Sequence, residues 1–155
     1  MNRIYCLIGK FAEITQQIEL CLGEICEKSE IIKEFGRHSK LTAQEYNRVV
    51  DDAAFLKEKM ETMTFGQMIG TVYESKSLSH EEINTLKDLL GKRNYFTHEY
   101  FKYTNFENAT EDLIVEEFVA IKTDLVQLKQ MLNRLNLIKE NQNARITYLR
   151  SKNGL

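Results

Sequence analysis

Proline, the strongest helix breaker, occurs nowhere in the 155 positions of this chain. No helical run is therefore interrupted by a missing N–H or by a ring clashing with the preceding turn. Only 7 glycines are present, and apolar residues recur every three or four positions over most of the length. Together these facts predict an all-α protein, an up-and-down helical bundle of four to five helices with a long C-terminal helix. A single domain, residues 1–155, is long enough to bury roughly 70% of the surface of its unfolded chain.

The stripe Ile4, Leu7, Ile8, Phe11, Ile14, Ile18, Leu22, Ile25 predicts a first helix over about residues 2–34, with Gly36 as its C-cap. Thr42 opens a second helix to about Met60, with Val49, Val50, Ala53, Phe55 and Leu56 on its inner side. The capping boxes Thr64–Gln67 and Ser79–Glu82 open a short third helix and a fourth. Residues 104–108 read as a loop. A last helix starts near Ala109 or Thr110, where Glu111 and Asp112 complement its dipole. Its Ile114, Phe118, Ile121, Leu125, Leu128, Leu132 and Leu135 alternate spacings of four and three. Such a seam serves either as bundle core or as a surface for assembly with another chain. Lys139 and Gln142 interrupt it before Ile146 and Leu149 resume it. A helix over 110–150 would run ~60 Å, so its far end is expected to fray, bend or meet another chain.

Charge is unevenly distributed. The 14 basic and 21 acidic residues of positions 1–121 leave that part at −7, whereas 7 basic and 2 acidic residues leave 122–155 at +5. Residues 136–155 thus form a basic C-terminal helical extension, either a solvated helix face or an attractant for a polyanion. Cys6, Cys21 and Cys26 fall in apolar helical pattern and read as reduced core residues. Met60, Met63 and Met68 read as gap-filling core. The apolar run from Ile4 to Gly9 is too short for a signal peptide, and no run reaches the ~18 apolar residues of a membrane span. A cytoplasmic protein with no membrane contact is the expectation.

One stretch concentrates chemistry: Arg93-Asn94-Tyr95-Phe96-Thr97-His98-Glu99-Tyr100. The arginine fork matches a phosphate and stays charged, and the imidazole titrates near neutrality as general base or acid. Asn94 can orient the imidazole or donate to a phosphate oxygen. These groups suit cleavage of RNA by its own 2′-hydroxyl. On an ideal helix, however, Arg93 and His98 are offset by about 140°. Either the helix end is distorted, or two copies exchange partners across a two-fold axis. A plainer reading also stands: the His and Arg serve the helix terminus, and the aromatics close the core. No metal or cofactor is expected, because His38, His80 and His98 are widely separated and no Gly-rich phosphate loop occurs.

The spacing Arg93-Asn94-x-x-x-His98 resembles the signature of the HEPN superfamily, the higher eukaryotes and prokaryotes nucleotide-binding domains. With Tyr100 the pattern is similar to the HEPN toxins paired with minimal nucleotidyltransferase antitoxins. The resemblance spans residues 1–135 by architecture. It implies a homodimeric, metal-independent endoribonuclease acting on RNA as a toxin or phage-defence effector. Arg93 and His98 would be the catalytic pair, Asn94 the polar auxiliary, and Tyr100 the site that a nucleotidyltransferase antitoxin modifies. Two other readings are a non-catalytic HEPN-like module binding a nucleotide or protein, and a helical assembly protein dimerising through residues 114–135.

Overall fold

A computed structural model describes residues 2–104 and 108–155. Helix α1 spans Asn2–Arg37, α2 Ala43–Glu61, α3 Phe65–Ser75 and α4 His80–Asn94. A π turn at Tyr95–Glu99 leads into the short α5, Tyr100–Tyr103, and α6 covers Glu111–Asn153. No strand occurs among the described residues. Of the loop expected over 104–108, positions 105–107 lie outside them.

Local side chains set the helix starts. Thr42, Thr64 and Ser79 accept from the backbone N–H three residues on, while Glu45, Gln67 and Glu82 reach back to the cap N–H. Thr110 accepts from the Leu113 N–H at 3.3 Å. Gly36 does not cap α1; the helix passes through it to Arg37 without a left-handed residue. The left-handed caps are Lys76 after α3 and Gly154 after α6. Beyond Gly154, the Leu155 N–H returns to the Arg150 carbonyl at 3.0 Å, and the Leu155 side chain packs against the bundle end.

The two long helices lie side by side and run parallel. Cross-contacts pair Cys21 with Asn136, Glu24 with Lys139 and Ser29 with Gln142, at sequence separations of 115, 115 and 113. A near-constant separation means that both helices advance in one direction. α2 and α4 run the other way: Glu27 and Phe35 of α1 meet Lys57 and Tyr46, and Asp124 and Arg134 of α6 meet Lys92 and Glu82. α3 climbs beside α1, from Met68 near Leu20 to Ser75 at Cys26. The topology is the up-and-down one that the helical pattern predicts.

The main core joins the Ile4–Cys26 stretch of α1 to α3, α4 and α6 as far as Leu135. Ile121, Leu125, Leu128 and Leu135 are buried in it, and Ile114, Phe118 and Leu132 pack against it. The heptad stripe is therefore bundle core. A second cluster gathers Ile31, Phe35, Leu41 and Ala53 with Ile146 and Leu149. Between the two clusters runs a polar layer. There Gln142 Nε2 donates to Ser29 Oγ at 2.9 Å and to the Ile25 carbonyl at 3.2 Å. Ser29 shares a hydrogen bond with Ser77, which in turn bonds Ser75 at 2.7 Å.

Three further expectations are corrected. The far end of α6 neither frays nor projects; it docks on the second cluster, and Asn153 Oδ1 accepts from the Leu41 N–H at 3.1 Å. It can do so because α1 is itself ~54 Å long at 1.5 Å per residue. Several cations of the basic end are engaged within the bundle, Lys139 by Glu24, Arg134 by Glu82, and Arg150 over the Tyr46 ring. Phe55 is 68% exposed, because Ala53, ~200° around the helix, takes the buried position. Cys6 is exposed, while Cys21 and Cys26 are buried, and all three are free thiols. Burial pushes the Cys26 thiol up to about 11. Among the described residues no helix is long and apolar enough to cross a membrane, and no group of His, Cys, Asp and Glu could hold a metal.

The buried stripe of α6 makes a direct prediction. Leu135→Ala should lower unfolding free energy by about 2–5 kcal/mol, whereas Val126→Ala, on the exposed side of the same helix, should change it by less than about 0.5 kcal/mol. Urea denaturation followed by circular dichroism reads both.

Candidate active site at the π turn

The octapeptide begins on the last turn of α4 and passes through the π turn. Its defining bond runs from the Tyr100 N–H to the Tyr95 carbonyl, five residues back. A π turn uses ~4.4 residues per revolution rather than 3.6, so the Arg93-to-His98 offset shrinks from about 140° to about 90°. The distortion expected as one of two alternatives is present. Aromatic rings pack around it. Phe96 packs on Phe11 at 4.9 Å and on Tyr100 at 5.4 Å, and Tyr95 stands edge-on to Tyr100 at 5.8 Å. Phe96 and Tyr100, four positions apart and so on one face of the helix, both enter the core. At the junction, the Thr97 hydroxyl donates to the Arg93 carbonyl at 2.8 Å.

The octapeptide thus divides into two sets. Phe96 and Tyr100 are core, as the plainer reading requires. Arg93 is half-buried, and Asn94, Thr97 and His98 are exposed. Arg93 lines a cleft of about 320 Å³ between α1 and α4, together with Thr97, Phe96, Phe11, Gln16 and Glu19. Its Nη1 donates to Asn94 Oδ1 at 3.2 Å. Asn94 therefore steadies the guanidinium and not, as the sequence allowed, the imidazole. Burial raises the Glu19 carboxyl above the usual carboxylate range, and the Arg93 charge offsets part of that rise.

His98 does not line this cleft. One chain brings Arg93 and Asn94 together and leaves His98 on the surface beside them. Tyr100 is 0% exposed. Burial, then the neighbouring Glu117 carboxylate, pushes its phenol well above the ordinary value and keeps it protonated. Attachment of a nucleotide there requires α5 to move. Outside the octapeptide, Tyr5 stacks on Phe101 at 5.2 Å, and Tyr103 is 75% exposed. Sequence reasoning missed Glu19 and Gln16. The only signal was a carboxylate set immediately beside the apolar stripe at Ile18 and Leu22.

Glu19 has a measurable signature. Its raised value means that the ionised carboxylate destabilises the fold above its folded pKa, a cost that disappears as pH falls through that value to below the ordinary 4.5. Glu19→Gln should therefore raise the urea midpoint at pH 7 and match wild type near pH 4. Arg93→Gln should move the Glu19 titration further upward, read by carboxyl NMR.

No protein-family model matches this chain, and no curated protein or solved structure matches it significantly, so the residues themselves carry the functional argument.

Proposed function

We propose that this chain is a metal-independent endoribonuclease of HEPN type that works as a homodimer and acts as a toxin or phage-defence effector. The observation that carries the reading is the phosphate-matched Arg93 guanidinium in a cleft at the end of α4, with the exposed imidazole of His98 on the π turn that follows. Such turns interrupt helices at some cost and recur at functional sites. Arg93, steadied by Asn94, would hold the scissile phosphate and offset the charge that develops on it. His98 of the partner subunit would border the same pocket, taking the 2′-hydroxyl proton or returning one to the 5′-oxygen leaving group. Attack of the 2′-oxygen breaks the P–O5′ bond and leaves a 2′,3′-cyclic phosphate.

Two features support association of copies at this end. A single chain leaves His98 outside the Arg93 cleft, and the neighbouring Tyr5, Phe101 and Tyr103 expose aromatic surface of the kind that marks interaction sites. A nucleotidyltransferase antitoxin is the partner that the resemblance implies, and its action on Tyr100 would need α5 displaced. The second reading, a non-catalytic nucleotide- or protein-binding module, draws on Glu19, whose negative charge beside Arg93 opposes an incoming phosphate.

Purified protein incubated with mixed-sequence RNA in EDTA should generate cyclic-phosphate ends. His98→Ala and Arg93→Ala should each slow cleavage by at least about 100-fold. RNA left intact by the wild type, with a nucleotide nevertheless bound, would select the binding-module reading. Cleavage at an unchanged rate in His98→Ala would remove the histidine from the mechanism. Light scattering should give twice the chain mass.

A further inference from the structure

Helix α6 carries two apolar stripes, and the bundle buries only one of them. Val115, Val126, Leu137 and Tyr148 stand eleven residues apart on its outer side. Eleven residues make three turns plus about 20°, so the four keep nearly one line along ~50 Å of helix. Together with Val119 they are 46% to 64% exposed, and Ala144 on the same line is exposed too. The buried Leu135 lies ~180° round the helix from Val126, so this line faces away from the core.

We propose that this outer face of α6 docks antiparallel on the same face of a second copy of the chain. The two-fold axis crosses α6 midway between Gln130 and Asn133, and the order of residues selects this occupant. It sets Val115 opposite Tyr148, Val119 opposite Ala144 and Val126 opposite Leu137, so apolar positions meet apolar ones. At the centre Gln130 meets Asn133, two amides that can each donate and accept. Lys122 faces Asn141 and lies one position from Glu140 of the second copy. The flanks agree in charge: Glu116 comes level with Arg145 and Asp112 with Lys152, all of them exposed. A parallel pair would instead set each of these charges against its own kind, which is repulsive. An antiparallel pair shifted by one turn would set Val126 against Asn141 and Gln130 against Leu137. Self-complementarity about one axis is what an isologous interface requires.

The pairing is separate from the contact that would complete the Arg93 site. Tyr100 lies beside Glu117, and the two Glu117 positions of such a pair are ~40 Å apart, so its π turns stay distant. A single helix face is smaller than the roughly 20–30 residues per side of a standard interface. The association is therefore weak, and it adds copies to the π-turn dimer only as the concentration rises.

Cysteine cross-linking of the full-length chain tests the register, in a Cys6→Ser background because Cys21 and Cys26 are buried. Position 133 lies ~4.5 Å along the axis from its own mate, within reach of a disulfide between facing helices. Asn133→Cys should therefore cross-link to itself under mild oxidation. Val115→Cys and Tyr148→Cys should each run as single chains on a non-reducing gel and cross-link only when mixed. Val126→Glu added to Asn133→Cys should cut the cross-linked fraction at least about tenfold, because it sets a carboxylate against Leu137. Leu137→Lys added to that variant should restore the cross-link, since the new charges then face each other. All of these positions are exposed, so the variants should keep the wild-type circular dichroism. No cross-link at Asn133→Cys, self-cross-linking of Val115→Cys, or a cross-link indifferent to Val126→Glu overturns the proposal. The ribonuclease reading fails separately. Cross-linking without RNA cleavage upholds the α6 pairing and removes the nuclease, whereas cleavage without cross-linking does the reverse.

Discussion

Parallel packing of α1 on α6 governs the placement of everything else. Two helices of more than ~50 Å that point the same way cannot be joined by a tight turn, since the chain must return to the starting end before the second can begin. α2 makes part of that return, α3 reverses it, and α4 completes it. The end of α4 is thereby forced down beside the first turns of α1, where Phe96 packs on Phe11 and Arg93 meets Glu19. The octapeptide occupies the place where the chain turns back to enter α6. Its position follows from the topology, and its chemistry from the side chains stationed there.

Helix starts were legible because their determinants are local. A hydroxyl and a carboxylate or amide three residues apart close the same ring of hydrogen bonds in any context. Ends were less so: Gly36 lies inside α1, and a left-handed Lys76, at φ 56, closes α3 where glycine would be the usual choice. The apolar stripe of α6 was readable as an inward face. The docking of its distal part was not, since its partner is a cluster more than a hundred positions upstream. Phe55 and Cys6 show the limit of periodicity, which locates a stripe but not its edges.

For the site, residue types and spacing singled out Arg93, Asn94 and His98. The helix angle also showed that a regular helix would not bring Arg93 and His98 together. What sequence could not supply was the backbone's departure from a regular helix at Tyr95–Glu99. The π turn lies where Phe96 and Tyr100 sit together in the core, and the spacing of the octapeptide does not announce it. Glu19 escaped notice for a related reason. Its importance comes from facing Arg93 across a helix pair, and a lone glutamate beside an apolar stripe ordinarily reads as surface.

The polar layer between the two apolar clusters also bears on how the molecule breathes. Ser29 sits between Cys26 and Ile31 on one long helix, and Gln142 between Ile138 and Ile146 on the other. Hydrogen bonds at this level are satisfied equally well by water once a gap opens, whereas the apolar contacts on either side are not. The apolar interior is thus divided into two clusters, and the distal one, built on the end of α1, the first turns of α2 and the final turns of α6, holds fewer buried side chains. Amide protons of that cluster should exchange through openings that leave the π-turn end closed.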